Sequence, residues 1–471
     1  MIRLDSGDNS HRNNPLSRRE MMSVGALSLG GLAVPQLLGA QAGTSKAEPL
    51  QAGSAKSFGK AKNCIILFLS GGPPQHDTFD PKPDAPAEIR GEFDTLPTAI
   101  PGLRFTEYLP KTASLMNRVA LVRSMTHTSS GHANGGYIMF TGYKYPRGAG
   151  SANFMSRTDM PFIGSCVAKV APGNGPMYPT VLVPGRLDAG SKRRAGQWGG
   201  LLGGKYDPLL TGGNPNDDDF RLRQLPLAAN RPEKILRRRK SLIDQLNAQI
   251  GFLQENPLGR SISANQEKAI DVLSSEKVRR AVDLASADPN ERARYGRNLF
   301  GQCVLLGRRL VEAGTRLVQI NWQRTQGKKG YAWDSHSENF VAMREDLIPP
   351  FDVAYHALIT DLEERGLLDE TLVVVAGEFG RSPKITPVNR GREHWPQVFS
   401  VLFAGAGIKG GAVYGASDKT GGYPADAPVS PAEYTATIFH CLGIDPQTEV
   451  HDELGRPLLL STGKPVEGIL I

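Results

Sequence analysis

The chain has 471 residues and a formal charge of +8, with 39% hydrophobic and 22% charged residues, which is enough apolar chain for a large buried core and excludes an extended disordered protein. The positive balance favours anionic ligands or surfaces, but with no finger spacing and no aromatic RNA-binding motif, nucleic acid is not an expected partner. Cys64, Cys166, Cys303 and Cys441 lie far apart with no C-x-x-C pair, which excludes a common structural zinc spacing and points to buried free thiols.

Near the N-terminus, Ser17-Arg18-Arg19-Glu20-Met21-Met22 precedes a Gly- and Ala-rich apolar run from Val24 to Leu38, then Ala40-Gln41-Ala42. A charged region, an apolar region and an A-x-A site in that order read as a signal peptide over 1–42, with paired arginines of the twin-arginine type. The run falls short of the about 20 apolar residues a membrane span needs. Export by the twin-arginine route to a periplasmic or extracellular location is therefore expected. A small-residue linker over 43–60 and a mature domain over 61–471, with no membrane span, complete the expected organisation.

The mature chain opens on a buried apolar run, Cys64 to Leu69, stopped by Ser70-Gly71-Gly72-Pro73-Pro74. Further strands are expected at Val119–Val122, Thr180–Val183 and Arg316–Asn321. A Tyr137–Phe140 helix ends at Thr141-Gly142. Residues 186–300 differ. A Gly-rich basic stretch leads to Asn214-Pro215-Asn216-Asp217-Asp218-Asp219, which lacks the ligand spacing of a calcium loop. Helical periodicity then runs from about Pro232 to Leu284, with Arg237-Arg238-Arg239-Lys240 as a solvated face, so this region reads as a loop and helical insertion. An amphipathic helix over Phe351–Arg365, stopped by Gly366, leads into the strand Leu372–Val375, and a last apolar run spans Val398–Ala404. Strands alternating with helices predict an α/β fold, a mostly parallel sheet with helices on both faces.

Ligands of open α/β sheets bind beyond the carboxyl ends of the strands, and four polar clusters fall there: His76-Asp77-Thr78-Phe79-Asp80, His127 to His132, Asp334 with His336, and Glu378, Arg381 and His394. Carboxylates, imidazoles and hydroxyls together form a ligand set for a divalent ion (zinc, manganese or calcium). Such an ion polarises an ester oxygen, and Arg381 is suited to a bidentate grip on sulfate or phosphate. Each residue has a plainer reading beside this one. Asp77 and Asp80 also suit loop caps, and Glu378 with Arg381 equally makes a salt bridge across a turn.

The segments CIILFLSGGPPQHDTFDPKP, EIRGEF, GHANGGYIMFTGY, YAWDSHSENF, LVVVAGEFGRSPKI and GREHWPQVFSVLFAGAG resemble the family known as domain of unknown function 1501, placed with the sulfatases and alkaline phosphatases. The resemblance covers essentially all of the mature chain. It implies an alkaline-phosphatase-like fold and a metal-dependent hydrolase of sulfate or phosphate esters, with an anionic ester or a sulfated or phosphorylated glycan as substrate. The alternative it leaves is a non-catalytic relative that binds anionic glycan or scaffolds a partner. Matched by motif order, Asp77, Asp334, His336, Glu378 and His394 are the implied metal ligands, Asp77 standing in from the loop because the first strand ends in Ser70-Gly71-Gly72. His132 falls near the sulfatase nucleophile position without a C-x-P-x-R motif, so His132, or Ser129 or Ser130 beside it, is the implied group at the reacting centre, with Arg381 holding the anion.

Overall fold

The computed structural model describes residues 56–146, 152–189, 192–222, 272, 275–323 and 332–471. The leader, most of the linker, the Arg237–Lys240 run and most of the Pro232–Leu284 periodicity lie outside the described residues; its end carries a short helix, Glu276–Val282. Eight strands form the central sheet. In chain order they are β1 (Asn63–Phe68), β2 (Val119–Met125), β3 (Thr180–Val183), β4 (Leu209–Leu210), β5 (Leu317–Asn321), β6 (Thr371–Ala376), β7 (Phe399–Gly405) and β8 (Val413–Tyr414). Across the sheet they stand β8-β2-β7-β6-β1-β5-β3-β4. β1 runs parallel to β6 and β5, β5 to β3, and β3 to β4. β7 runs antiparallel to both of its neighbours, β6 and β2. The sheet is thus mostly parallel, as the alternation of elements predicts.

The strands are continuous apolar runs because both faces are covered. Successive side chains point to opposite faces. Ile65, Leu67, Val373 and Val375 join one buried cluster with Leu305 of α3 (Leu299–Glu312) and Leu358 of α4 (Ile348–Glu364). Cys64, Ile66, Phe68, Leu372 and Val374 join a second, with Phe140 of α1 (His132–Thr141), Val167 of α2 (Ile163–Val170) and Ile438 of α5 (Pro431–Cys441). The expected Phe351–Arg365 helix is α4, which starts three residues earlier and stops before Gly366, in the left-handed region at φ +67°. All four cysteines are buried free thiols. Among the described residues, no helix is long and apolar enough to cross a membrane.

Candidate metal centre

The carboxyl ends of β1, β2, β5 and β6 deliver their loops to one edge of the sheet. β2 leads through Gly131 into α1, whose first residue is His132. One turn on, Gly135 lets this helix press against the loop after β6, since a Cβ there would lie 3.0 Å from the Glu378 carbonyl oxygen. Beyond β6, Gly380–Arg381 pairs antiparallel with His394–Trp395, Arg381 opposite His394. That short ribbon brings together two positions thirteen residues apart in sequence. The chain leaving β5 comes back to the same edge as Trp333-Asp334-Ser335-His336. Gly71, at the end of β1, has φ +120°, and a Cβ on it would sit 2.2 Å from the Asp334 nitrogen. Only glycine fits there.

One ligand atom each of His132, Asp334, His336 and His394 lies within 4.8 Å of the others. His336 Nε2 and His394 Nε2 are 2.9 Å apart. Asp334 Oδ1 is 3.1 Å from the first and 3.2 Å from the second, and Asp334 Oδ2 is 3.0 Å from His132 Nε2. That last contact is off the line of a hydrogen bond, so the buried His132 Nε2 has no hydrogen-bond partner. Ligands bound at about 2.0–2.2 Å around one tetrahedral ion sit roughly 3.4 Å from each other, so the spacing fits a single ion.

The far side of each ring strengthens the fit. His132 Nδ1 is 2.6 Å from Glu378 Oε1, His336 Nδ1 is 2.8 Å from Glu393 Oε2, and His394 Nδ1 is 2.8 Å from the Ser130 carbonyl oxygen. Each Nδ1–H therefore has an oxygen acceptor, which leaves each Nε2 lone pair directed at the cluster. An outer acceptor that sets the tautomer and orientation of a metal-binding imidazole is the usual arrangement.

The charges are strongly coupled. Burial disfavours the His132 imidazolium, but the carboxylates of Asp334 and Glu378 on either side of the ring outweigh it and raise its pKa to about 9. Burial would raise the Asp334 carboxyl, yet His132, His394 and Arg381 hold it well below the usual carboxylate range. Glu378 is likewise lowered, chiefly by His132, against its complete burial. His127 goes the other way. Burial takes its pKa down to about 4, and the neutral ring donates from Nε2 to the Glu378 carbonyl oxygen while Nδ1 accepts from Ser129 N–H.

The expected site residues separate into those the structure gathers and those it does not. Asp334, His336, His394 and His132 converge. Glu378 stands behind His132 rather than at the cluster, with both carboxylate oxygens also accepting from Gly71 N–H at 2.9 and 3.0 Å. Asp77 is elsewhere: Arg392 grips its carboxylate at 2.8 and 3.0 Å, Asn339 donates to it at 2.8 Å, and both ion-pair partners are fully buried. Arg381 is not open to a ligand either. Its buried guanidinium donates to the carbonyls of Gly71, Gly72, Trp333 and Arg392 and, at 2.6 Å, to Asp334 Oδ1. Its role in the fold is to hold Asp334. Ser130 is exposed on the wall of a cavity of about 1120 Å³, which His132, His394, Lys144 and Arg194 also line. Sequence reasoning did not single out Glu393 or Arg194. Glu393 adjoins His394 in GREHW, so its place in the motif was the available signal.

The sheet and the cluster at its carboxyl edge define a mixed α/β protein with a His/Asp group able to hold a metal ion. Residues 61–470 match the family described as Protein of unknown function (DUF1501), and the chain belongs to that family. No curated protein matches the sequence. Among solved structures, the chain is similar to the lipoteichoic acid synthase LtaP from Listeria monocytogenes, at 11% identity over 86% of this chain and 76% of that one, TM-score 0.36. It is similar to the phosphonate monoester hydrolase SpPMH from Silicibacter pomeroyi at 12% identity, 86% and 76% coverage and TM-score 0.37. The alkaline phosphatase from the Antarctic bacterium TAB5 matches at 12% identity, 76% and 95% coverage and TM-score 0.34. At such distances no activity passes from these proteins to this chain.

Proposed function

We propose that the protein is an exported, metal-dependent hydrolase of sulfate or phosphate esters, with an anionic glycan as the broader substrate class. The observation that carries this reading is the convergence of three imidazole Nε2 atoms and the Asp334 carboxylate, each ring backed by an oxygen acceptor. Three nitrogens and one carboxylate suit zinc or manganese better than calcium, which prefers six to eight oxygens. An ion held by His132, Asp334, His336 and His394 would supply Lewis acidity to an ester oxygen. Glu378 and Glu393 fix the tautomers of His132 and His336, and Arg381 fixes Asp334. Ser130, exposed in the adjoining cavity, is the side chain we assign to the reacting centre. His132 has both ring nitrogens directed at carboxylates, which favours a ligand role over attack. The paired arginines at Arg18-Arg19, ahead of the apolar run, support twin-arginine export.

One observation favours the non-catalytic reading, in which the same cleft only binds an anionic glycan. β1 ends in Ser70-Gly71-Gly72 with no acid, and Ser70 Oγ donates to the Trp322 carbonyl instead of facing the cluster. Elemental analysis of protein purified without chelator separates the two readings. One divalent ion per chain, lost in His336→Ala and His394→Ala, together with metal-dependent turnover of a nitrophenyl sulfate or phosphate, is the expected result. No bound metal after zinc, manganese and calcium have each been offered would overturn the hydrolase reading.

A further inference from the structure

Arg381 spends its donors inside the fold, which leaves open what holds the anion. The cavity beside the cluster supplies another guanidinium. Arg194 lines it together with His132, His394, Ser130 and Lys144. Arg194 is half-buried, its Nε is buried without a hydrogen-bond partner, and among the described residues no ion pair involves it. Its charge is felt at Glu378, but that carboxylate already has His132 and the Gly71 N–H. A guanidinium presents five donors in a rigid fork and cannot shed its proton. Withdrawing it from water without a partner is costly, so a half-buried arginine left unbonded at a cavity wall has capacity for an anion.

The side chain is also carried on a fixed support. The Gln197 side chain ties Leu187 to Arg194, accepting from Leu187 N–H at 2.8 Å and donating to the carbonyls of Leu187 and Arg194 at 3.1 and 3.2 Å. Ala195 N–H donates to the Ala152 carbonyl at 2.8 Å. Gly196 packs so closely on α1 that a Cβ would lie 3.0 Å from the Tyr137 ring. Arg194 is thus anchored to the helix that begins with His132. Lys144, exposed and in the same cavity lining, adds a second cation. The carboxylates nearby, Asp334 and Glu378, face the imidazoles.

From this placement we infer that Arg194, assisted by Lys144, is the specificity-determining anion grip of the site, taking a tetrahedral oxyanion of the sulfate or phosphate class beside the His132–Asp334–His336–His394 cluster. The inference rests on the proposed hydrolase reading in treating this cavity as the substrate site. Arg194 acts by charge-assisted, bidentate hydrogen bonds to the oxyanion. A lysine at this position keeps the charge and loses the fork.

Calorimetric titration with inorganic phosphate and with inorganic sulfate, on metal-free and zinc-treated protein, tests it. Arg194→Gln is expected to weaken binding of the tighter of the two anions about 10- to 100-fold in both preparations, the usual effect of losing one charge-assisted bidentate pair. Arg194→Lys should fall between, and Lys144→Gln should lose less. Melting temperature and metal content of these variants should match wild type. Arg194→Gln binding as tightly as wild type overturns the inference, as does wild type showing no saturable binding of either anion. A poorly folded Arg194→Gln variant passes the decision to Arg194→Lys, whose wild-type affinity would equally overturn the inference. Failure of the metal reading looks different: wild type takes up no zinc, while its phosphate affinity still depends on Arg194.

Discussion

Glu378→Gln distinguishes an outer positioning carboxylate from a direct metal ligand. Glu378 is 1% exposed, and its immediate polar neighbours are both donors: His132 Nδ1 at 2.6 Å and Gly71 N–H at 2.9 and 3.0 Å. A glutamine keeps the shape, and its oxygen at the Oε1 position still accepts from both donors, but its NH₂ then stands at the Oε2 position, 3.0 Å from the Gly71 N–H and without an acceptor, and the negative charge behind the imidazole is gone. Leaving a buried donor unsatisfied costs about 1–3 kcal/mol. Losing the carboxylate behind a metal-binding imidazole typically costs 10- to 100-fold in metal affinity, or about 1.4–2.7 kcal/mol. The assay is competition for zinc against a chromophoric chelator near pH 7.5, with melting curves to establish that the variant folds. The expected order is wild type, then Glu378→Gln weaker by one to two decades, then Asp334→Ala and His394→Ala without measurable affinity. Wild-type affinity in Glu378→Gln would refute the positioning argument. Complete loss, equal to that of the ligand variants, would refute it in the other direction and restore Glu378 as a ligand.

Proton linkage gives a second prediction. The His132 pKa stands at about 9 in the folded, metal-free protein against an ordinary 6.5, so the stability its imidazolium contributes is complete below about pH 6.5 and is lost as pH rises through about 9. Its magnitude is on the order of 3 kcal/mol at most, read as a fall in urea-unfolding free energy between pH 6 and 9.5. A flat profile would contradict the pairing of His132 with Asp334 and Glu378. The same proton competes with metal, so apparent zinc affinity should climb between pH 7 and 9, and a pH-independent affinity would count against His132 as a ligand. Asp77→Asn should destabilise the fold by about 3 kcal/mol, because it leaves the buried Arg392 charge without its partner. It should leave metal content unchanged, and metal loss in this variant would return Asp77 to the centre.

Much of the architecture was legible because a buried parallel strand announces itself as an apolar run, as in Cys64–Leu69 and Leu372–Val375, and because polar clusters after such runs share one edge of the sheet. That rule alone brought Asp334, His336 and His394 to the same neighbourhood as His132. What it could not supply was the facing of each group. Whether Glu378 meets a metal or backs a histidine depends on Gly71, which contributes a backbone N–H visible only once β1 and β6 pair. Arg381 looks like an anion grip until the carbonyls of Gly71, Gly72 and Arg392 are folded around it. Asp77 and Arg392 are 315 positions apart, a pairing with no local signature. The reversed direction of β7 is not written in Val398–Ala404, and the two-residue edge strands β4 and β8 are too short to show a period.

The missing acid at the end of β1 then has a physical counterpart in the site. Where the family resemblance leads one to expect a carboxylate at the end of β1, the Gly71 N–H is shared between both oxygens of a carboxylate carried by the loop after the adjacent β6. The acid has not vanished from this corner of the sheet; it is turned toward His132 and shielded from the cluster. The consequence is electrostatic. Bound to a divalent ion, three imidazoles and the Asp334 carboxylate would bring it a single negative charge, so the centre would stay net positive, whereas two or three carboxylates would neutralise it. Arg194 and Lys144 add to that positive field in the same cavity. On the proposed hydrolase reading, an ester anion would be drawn to the centre by the ligand set itself. On this argument, inserting an acid beside the cluster with Ser70→Asp should strengthen metal binding and weaken phosphate binding at once. A parallel gain in both would show that the charge of the centre does not govern the anion.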